Sequence, residues 1–385
     1  MNKREVVVAG ADHPNTLGLI RALHRKNCTV HALLQGEAGQ AFHCARSRCL
    51  DGECLAYETE AAFLDALLSL RRQEKIAVFP TSDLAAYFTD ENLELLSADF
   101  LLPSIAGKPG EITRMMDKGR QKELADTYGI PMAKTLALRL DGDALPDIPK
   151  DFPAESIIKP CVSAFGAKSD ICVTDGRKAL FDALCTFREK GYTKVLVQEF
   201  LHKDYELVAF GCLTAGGAVY SGTLKKLRYY PYEGGASLSY AQFTKTPTVF
   251  EPILHMMRDI GYTGMFDIEV FMVQGKLYLN EINFRNSGNT WAIVQNGVNA
   301  PYLWLLDRLN MLTADDIPKC DLAGKYFMNE LSDLHYLRDR KLPLHVWLRD
   351  LCRTSAFNEF WLRDIPGSLT WYPGLSRLIR GKCGK

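Results

Sequence analysis

The chain has 385 residues, 47% of them hydrophobic, and its 46 basic and 46 acidic side chains cancel to zero net charge. At roughly 150 residues per domain this length predicts two to three domains, each with enough apolar content for a buried core, and it excludes disorder and collagen-like composition. A neutral chain exerts no net pull on nucleic-acid phosphates or an anionic membrane, so an anionic ligand has to be held by local cations.

No apolar run approaches the roughly 18 residues of a spanning helix, and the opening MNKREVVVAG reads as a charged tip leading into a strand, not as a signal peptide. The expectation is a cytoplasmic protein with no membrane span. Eleven cysteines, an odd number, read as reduced thiols; Cys44, Cys49 and Cys54 beside His43 lack the CxxC pairs of a zinc site.

Residues 5–9 form a short β-rich apolar run, 15–24 have apolar residues at helical spacing, and 28–34 are a second apolar run, which together predict the start of a doubly wound α/β domain. Gly10 is followed next by Gly18, so the GxGxxG dinucleotide fingerprint is absent and a dehydrogenase is disfavoured. A helix at 60–73 and a strand at 76–80 extend the pattern, which closes near Ile112. One helix is predicted over 113–128, then a polar link to 153, then five candidate strands (ESIIKP, SDICVT, KVLVQEF, YELVAFGCL and GAVYSGTL) with a helix at 177–190 among them. This central part reads as an α+β module. YYPYEGGASLSY, with Gly234 and Gly235, reads as a loop able to close over a substrate. A helix at 249–260 precedes a hairpin, FDIEVFMVQGKLYLNEIN, turning at Gln274-Gly275, and the last fifty residues are predicted to be helical.

The hairpin carries the strongest chemical signal. Glu269 and Glu281 sit on its two strands, and Asn283 shares a face with Glu281 because side chains alternate with period two. Paired carboxylates and an amide oxygen are hard ligands suited to Mg²⁺ bridging nucleotide phosphates. In a neutral chain such phosphates need dedicated cations, and Lys118 in MMDKGRQ and Lys159 in ESIIKP are the candidates. Ser163 and Ser237 lack a GxSxG elbow, which argues against a serine hydrolase, and no basic stripe accompanies the tryptophans to suggest nucleic-acid binding.

Taken in order, DKGRQKELADTYGIP, IIKP, VQEFL, FDIEV and EINFR resemble the ATP-grasp superfamily, over about residues 6–308. The resemblance implies an ATP-grasp fold preceded by a doubly wound pre-ATP-grasp domain. The expected division is 1–112 for that first domain, 113–310 for the ATP-grasp domain and 311–385 for a helical extension; within the second, 113–153 is helix and linker, 154–224 the nucleotide lobe and 225–310 the lid loop and hairpin lobe. It implies phosphate contacts from Lys118 and Lys159, adenine contacts from Gln198, Glu199, Phe200 and Leu201, ribose contacts from Asp204 or Glu206, and Mg²⁺, with Mn²⁺ as an alternative, on Glu269, Glu281 and Asn283. Arg285 follows as the catalytic arginine. Two departures stand out: Phe284 replaces the proline of EINPR, and VSAFGAKS offers Gly166 alone where the family's phosphate loop is glycine-rich, with Lys168 as a substitute charge.

TLKKLRYYPYEGGASLSY narrows the resemblance to carboxylate-amine ligases of the D-aspartate ligase group. It implies ATP-dependent joining of an amino acid to an amine or peptide through an acyl phosphate, with Lys226 and Arg228 on one strand face lining the site and their surplus charge suggesting an acidic donor. The rival readings are another ATP-grasp reaction, such as carboxylation, and a non-catalytic nucleotide-binding protein. Small-molecule carboxylate and amine substrates are the expected partners, with a homo-oligomer left open.

Overall fold

The apolar run at the start of the chain becomes the central strand of a parallel sheet, because its side chains are covered on both faces and leave no exposed edge to polar residues. In the computed structural model, which describes residues 3–142, 145–160, 171–232 and 237–372, this five-stranded sheet has the order Cys54–Tyr57, Cys28–Gln35, Arg4–Ala11, Ile76–Pro80, Phe100–Leu101. Val6, Val7, Val8 and Ala9 are fully buried. The strand order reverses between Arg4–Ala11 and Ile76–Pro80, which opens a crevice at their carboxyl ends. Gly10 lies in that crevice, and a Cβ there would come within 1.9 Å of Thr81 Oγ1, so only glycine permits the approach.

Two further sheets follow. Thr135–Arg139, Lys194–Glu199, Glu155–Pro160 and Cys172–Asp175 form a small antiparallel sheet with its own core around Ile158, Leu184 and Val195. The largest sheet runs Lys276–Asn283, Tyr262–Val273, Tyr205–Leu213, Val219–Tyr230, Ser237–Thr244, Tyr326–Met328, Thr354–Phe357. Its hairpin turns through Gln274 and Gly275, both at positive φ (49° and 75°), as a two-residue turn requires. One apolar cluster joins the first sheet to the largest, through Val6, Phe79, Phe210, Met265 and Trp304.

Two expectations about local structure need correction. The helix expected over 113–128 is two helices, Glu111–Met115 and Lys118–Thr127, because the Asp117 carboxylate accepts the backbone N–H groups of Gly119 and Arg120 at 2.7 and 3.3 Å and caps a new helix. The C-terminal part, expected to be helical, also adds the strands Tyr326–Met328 and Thr354–Phe357 to the largest sheet. The Gly234-Gly235 loop, Ser163, Gly166 and Lys168 lie outside the described residues. Among the described residues no helix is long and apolar enough to cross a membrane.

Arg228 explains how the C-terminal part is held. Its guanidinium donates to Asp333 Oδ1 and Oδ2 at 2.8 Å and to Asp350 Oδ2 at 2.6 Å, and Ser239 donates to Asp333 Oδ1 at 3.0 Å. Both carboxylates are buried. Arg228→Met would strip Asp333 of its cation, and removing one partner of a buried pair costs about 3–5 kcal/mol. Denaturant unfolding at neutral pH should show that loss; a change of under about 1 kcal/mol would refute the strap. Burial opposes the charge of Asp350, but hydrogen bonds from Arg228 and Arg349 hold its carboxyl below the usual range. A lowered folded value stabilises above the ordinary carboxylate pKa, so the gap between wild type and variant should shrink as pH falls below about 4.

Candidate active site

The site is built on the hairpin. Strand register pairs Glu269 with Glu281 and Asp267 with Asn283, with a bulge between Glu269 and Val270, so these polar groups share one face of an otherwise apolar pair of strands. Two carboxylates directly opposite each other repel, and the structure answers each with a lysine. Lys118 forms an ion pair with Glu281, and Lys226 lies 2.7 Å from Glu206 Oε2 and 3.8 Å from Glu269 Oε2. Burial would raise the Glu281 carboxyl, but Lys118, then Lys159 and Arg285, hold it well below the usual range. Burial likewise opposes the charge of Lys226, and Glu269 and Glu206 more than restore it.

Lys118 reaches the hairpin through a specific clamp. The Gln121 side chain, one turn further along the helix, accepts the Ile282 N–H at 2.8 Å and donates to the Ile282 carbonyl at 2.8 Å, behaving like a neighbouring strand. A third bond, to the Met115 carbonyl at 2.7 Å, fixes the break before the helix. Asp117 as cap and Gln121 as clamp therefore set Lys118 over Glu281.

Lys159 is buried at the end of its strand and donates to Gln198 Oε1 at 2.8 Å, while Gln198 donates to Thr135 at 3.0 Å. Desolvation, with Lys118 adding repulsion, pulls the Lys159 ammonium down to about 7. Of the other nucleotide positions, Glu199, Phe200 and Leu201 are half-buried where the strand Lys194–Glu199 ends, with Glu199 Oε2 accepting the Lys134 N–H at 3.3 Å and the Phe200 ring edge-on to His202. Glu206 is buried between Lys203 and Lys226.

The first domain closes the site from the other side. Arg285 donates to Asp83 Oδ1 at 2.5 Å and to Asn283 Oδ1 at 3.5 Å. Asn286 is locked into the crevice of the parallel sheet: its N–H bonds the Pro80 carbonyl at 3.0 Å, its side-chain amide donates to Asn15 Oδ1 at 2.5 Å, and Asn15 donates to its carbonyl at 3.1 Å. The polar string after the hairpin thus meets the switch point of the doubly wound sheet, where such sheets hold ligands. Phe284, in place of the expected proline, is buried edge-on against Tyr262 with ring centroids 4.9 Å apart, so packing replaces ring constraint.

Two expectations change on this geometry. Arg228 does not line the site: a bulge between Lys226 and Arg228 breaks the alternation that would have put them on one face, and its guanidinium is taken by Asp333 and Asp350. The surplus of cations that suggested an acidic donor goes with it. Of the two ribose candidates, Asp204 is exposed and accepts the Gln274 N–H at 2.8 Å through one oxygen, bracing the hairpin turn, while Glu206 is buried with both oxygens paired to lysines. Asp83, Gln121 and Asp267 were missed. Asp267 is buried beside Glu269 with Ser287 donating to one carboxylate oxygen and the other without a partner among the described residues; burial and then Glu269 push its carboxyl up. Its position two residues before Glu269, and Asp83's just past the parallel strand, are signals the sequence contained.

Two carboxylates and an amide oxygen suit Mg²⁺, yet among the described residues no group of three or more His, Cys, Asp or Glu side chains is arranged to hold a metal. With Lys118 and Lys226 already balancing the carboxylates, the donor set fits a Mg²⁺ that arrives with phosphate oxygens, and not a self-sufficient metal cage.

No protein-family model matches the chain. A curated formate-dependent phosphoribosylglycinamide formyltransferase from Bacillus velezensis is 23% identical over 247 residues, covering 62% of this chain and only 56% of that protein's length. Among solved structures the chain is similar to the L-amino acid ligase from Bacillus licheniformis, with a TM-score of 0.61 and 14% identity over 85% of this chain and 79% of that one. It is equally similar to an N5-carboxyaminoimidazole synthetase from Staphylococcus aureus complexed with ADP, with a TM-score of 0.63 and 14% identity over 88% of this chain and 86% of that one. Likeness at these identities speaks for architecture, and with the parallel sheet, the small antiparallel lobe and the acidic hairpin in place, the chain has the ATP-grasp fold.

Proposed function

We propose that the protein is an ATP-dependent ligase that activates a carboxylate as an acyl phosphate and joins it to an amine. The observation that carries this reading is the convergence of Lys118, Lys226 and Arg285 on the Glu269–Glu281 face of the hairpin, an arrangement suited to managing phosphate charge. In the reaction, a carboxylate oxygen attacks the γ-phosphorus and ADP leaves. The amine nitrogen then attacks the acyl carbon, the C–O bond to phosphate breaks, and nitrogen gives up a proton. Binding and positioning are the protein's contribution.

Lys118 and Lys159 face the phosphates, Asp204 or Glu206 takes the ribose, and the strand end at Gln198 to Leu201 flanks the base. Glu269, Glu281 and Asn283 would hold Mg²⁺, which would supply charge neutralisation to the nucleotide phosphates. Arg285, held by Asp83, offers its remaining N–H groups to the oxyanion. Lys226 belongs to the site through Glu269 and Glu206. The likeness to an L-amino acid ligase supports an amino acid as the donor, and the likeness to an N5-carboxyaminoimidazole synthetase supports a second reading in which bicarbonate is the activated carboxylate.

The test is an ADP-release screen of single amino acids, and of bicarbonate, against amino acid and peptide acceptors, followed by transfer of ¹⁸O from the labelled carboxylate. About one labelled oxygen per turnover should appear in inorganic phosphate, since the acyl phosphate's bridging oxygen comes from the donor. Unlabelled phosphate would reject acyl-phosphate chemistry, and release with bicarbonate alone would favour carboxylation.

Lys159 gives a second test. Its lowered folded pKa means that above about pH 7 the free protein holds this side chain largely neutral, and an arriving phosphate makes the charged form favourable again. ATP binding at pH 8 should therefore take up close to about one proton, measured by calorimetry in buffers of different ionisation enthalpy. Lys159→Met should abolish the uptake and weaken binding by roughly 1.5–3 kcal/mol, the range for a hydrogen bond to a charged group. Equal proton uptake in that variant would remove Lys159 from the phosphate site.

A further inference from the structure

Away from the hairpin, three arginines from three separate segments meet at one concavity. Arg25 follows the first helix, Pro14–His24; Arg48 lies in the loop after the turn Cys44–Arg46; Arg363 lies in the turn Leu362–Asp364. They line two adjoining cavities of about 230 and 430 Å³ that share Arg25, Trp361 and Arg363. Among the described residues no carboxylate lies within ion-pairing distance of any of the three guanidiniums. Arg25 and Arg363 are close enough that, after desolvation, the charge of Arg363 works against that of Arg25.

The backbone beneath the three arginines is tied together. Asp364 is fully buried and acts as a hub: Oδ2 accepts from Arg21 Nε at 2.9 Å and Ser47 Oγ at 2.7 Å, and Oδ1 accepts from the Arg48 N–H at 3.0 Å and the Gly367 N–H at 3.3 Å. Arg21, also fully buried, donates further to the Glu359 carbonyl and Ser368 Oγ. One buried ion pair thereby ties the first helix, the Arg48 loop and the Arg363 turn together. Arg25 is further oriented by the rings of Trp361 and Trp291, 5.8 and 5.9 Å from its guanidinium, and by a 3.3 Å bond to the Val294 carbonyl.

We infer that this concavity is a second ligand site, separate from the hairpin, that binds the phosphate group of a small molecule. A single carboxylate is satisfied by one bidentate guanidinium, whereas three guanidiniums converging on one hollow match the charge and the three free oxygens of a phosphate. A cavity of 430 Å³ also has room for the rest of a phosphorylated metabolite. The preorganised backbone means that binding orders little new structure.

The experiment titrates inorganic phosphate, and separately glycerol 3-phosphate and acetate, into the full chain without nucleotide or Mg²⁺, by calorimetry and by tryptophan emission. Three proteins are compared: wild type, Arg48→Gln/Arg363→Gln, and Lys159→Met as a control for binding at the hairpin. Both substituted arginines are exposed, and equal melting temperatures would confirm that the fold is kept. The site predicts phosphate affinity about tenfold or more weaker in the double variant, unchanged in Lys159→Met, and acetate binding weaker than phosphate in wild type. Tighter binding of glycerol 3-phosphate than of phosphate would identify an ester as the natural ligand, and the reverse would identify the free ion. Equal phosphate affinity in wild type and the double variant, or a loss confined to Lys159→Met, would overturn the proposal.

Discussion

Glu269 and Glu281 face each other across a hairpin whose other side is apolar core, and bringing two carboxylates into such a place is unfavourable unless cations accompany them. Much of the molecule around the site supplies those cations from different parts of the chain. The Asp117 cap and the Gln121 clamp deliver Lys118 from a helix. The strand Val219–Tyr230 delivers Lys226. Arg285 comes from the hairpin's own continuation and is held by Asp83 at the end of the parallel sheet. The electrostatic need of two side chains thus ties three structural layers together.

The same balance gives the site its chemistry. Under the proposed function, the lysines that pair with carboxylates in the free protein would turn to the phosphate oxygens of a nucleotide, and Glu269, Glu281 and Asn283 would hold Mg²⁺, which would supply charge neutralisation there. Lys159 is the counterpart: burial, and then the charge of Lys118, pull its ammonium down to about 7 in the free protein, so a bound phosphate would favour its charged form. Such a site is preorganised in backbone and poised in charge, which is what catalysis by positioning requires.

The hairpin was legible because period two and a Gln-Gly turn leave little freedom in where Glu269, Glu281 and Asn283 project. Lys118 was legible as a candidate but its setting was not: the helix break at Met116-Asp117 depends on a side-chain cap that competes with an unbroken helical pattern. Lys226 and Arg228 show the opposite failure. Alternation assumes regular pairing, and one bulge sent Arg228 to Asp333 and Asp350, more than a hundred residues away in sequence. The C-terminal strands were hidden for a similar reason, being three and four residues long and stabilised by joining an existing sheet edge. The pairings of Asp83 with Arg285 and of Gln121 with Ile282 span some two hundred and one hundred and sixty residues, and no local pattern encodes which distant partner each side chain finds.

The central claim is that Glu281 couples metal to nucleotide, and it is tested most directly by measuring ATP affinity with and without Mg²⁺ in wild type and in Glu281→Gln. By linkage, a shared site makes each ligand tighten the other, so Mg²⁺ should raise ATP affinity by about tenfold or more in wild type and by less than about twofold in the variant. An undiminished Mg²⁺ effect in Glu281→Gln would contradict the account.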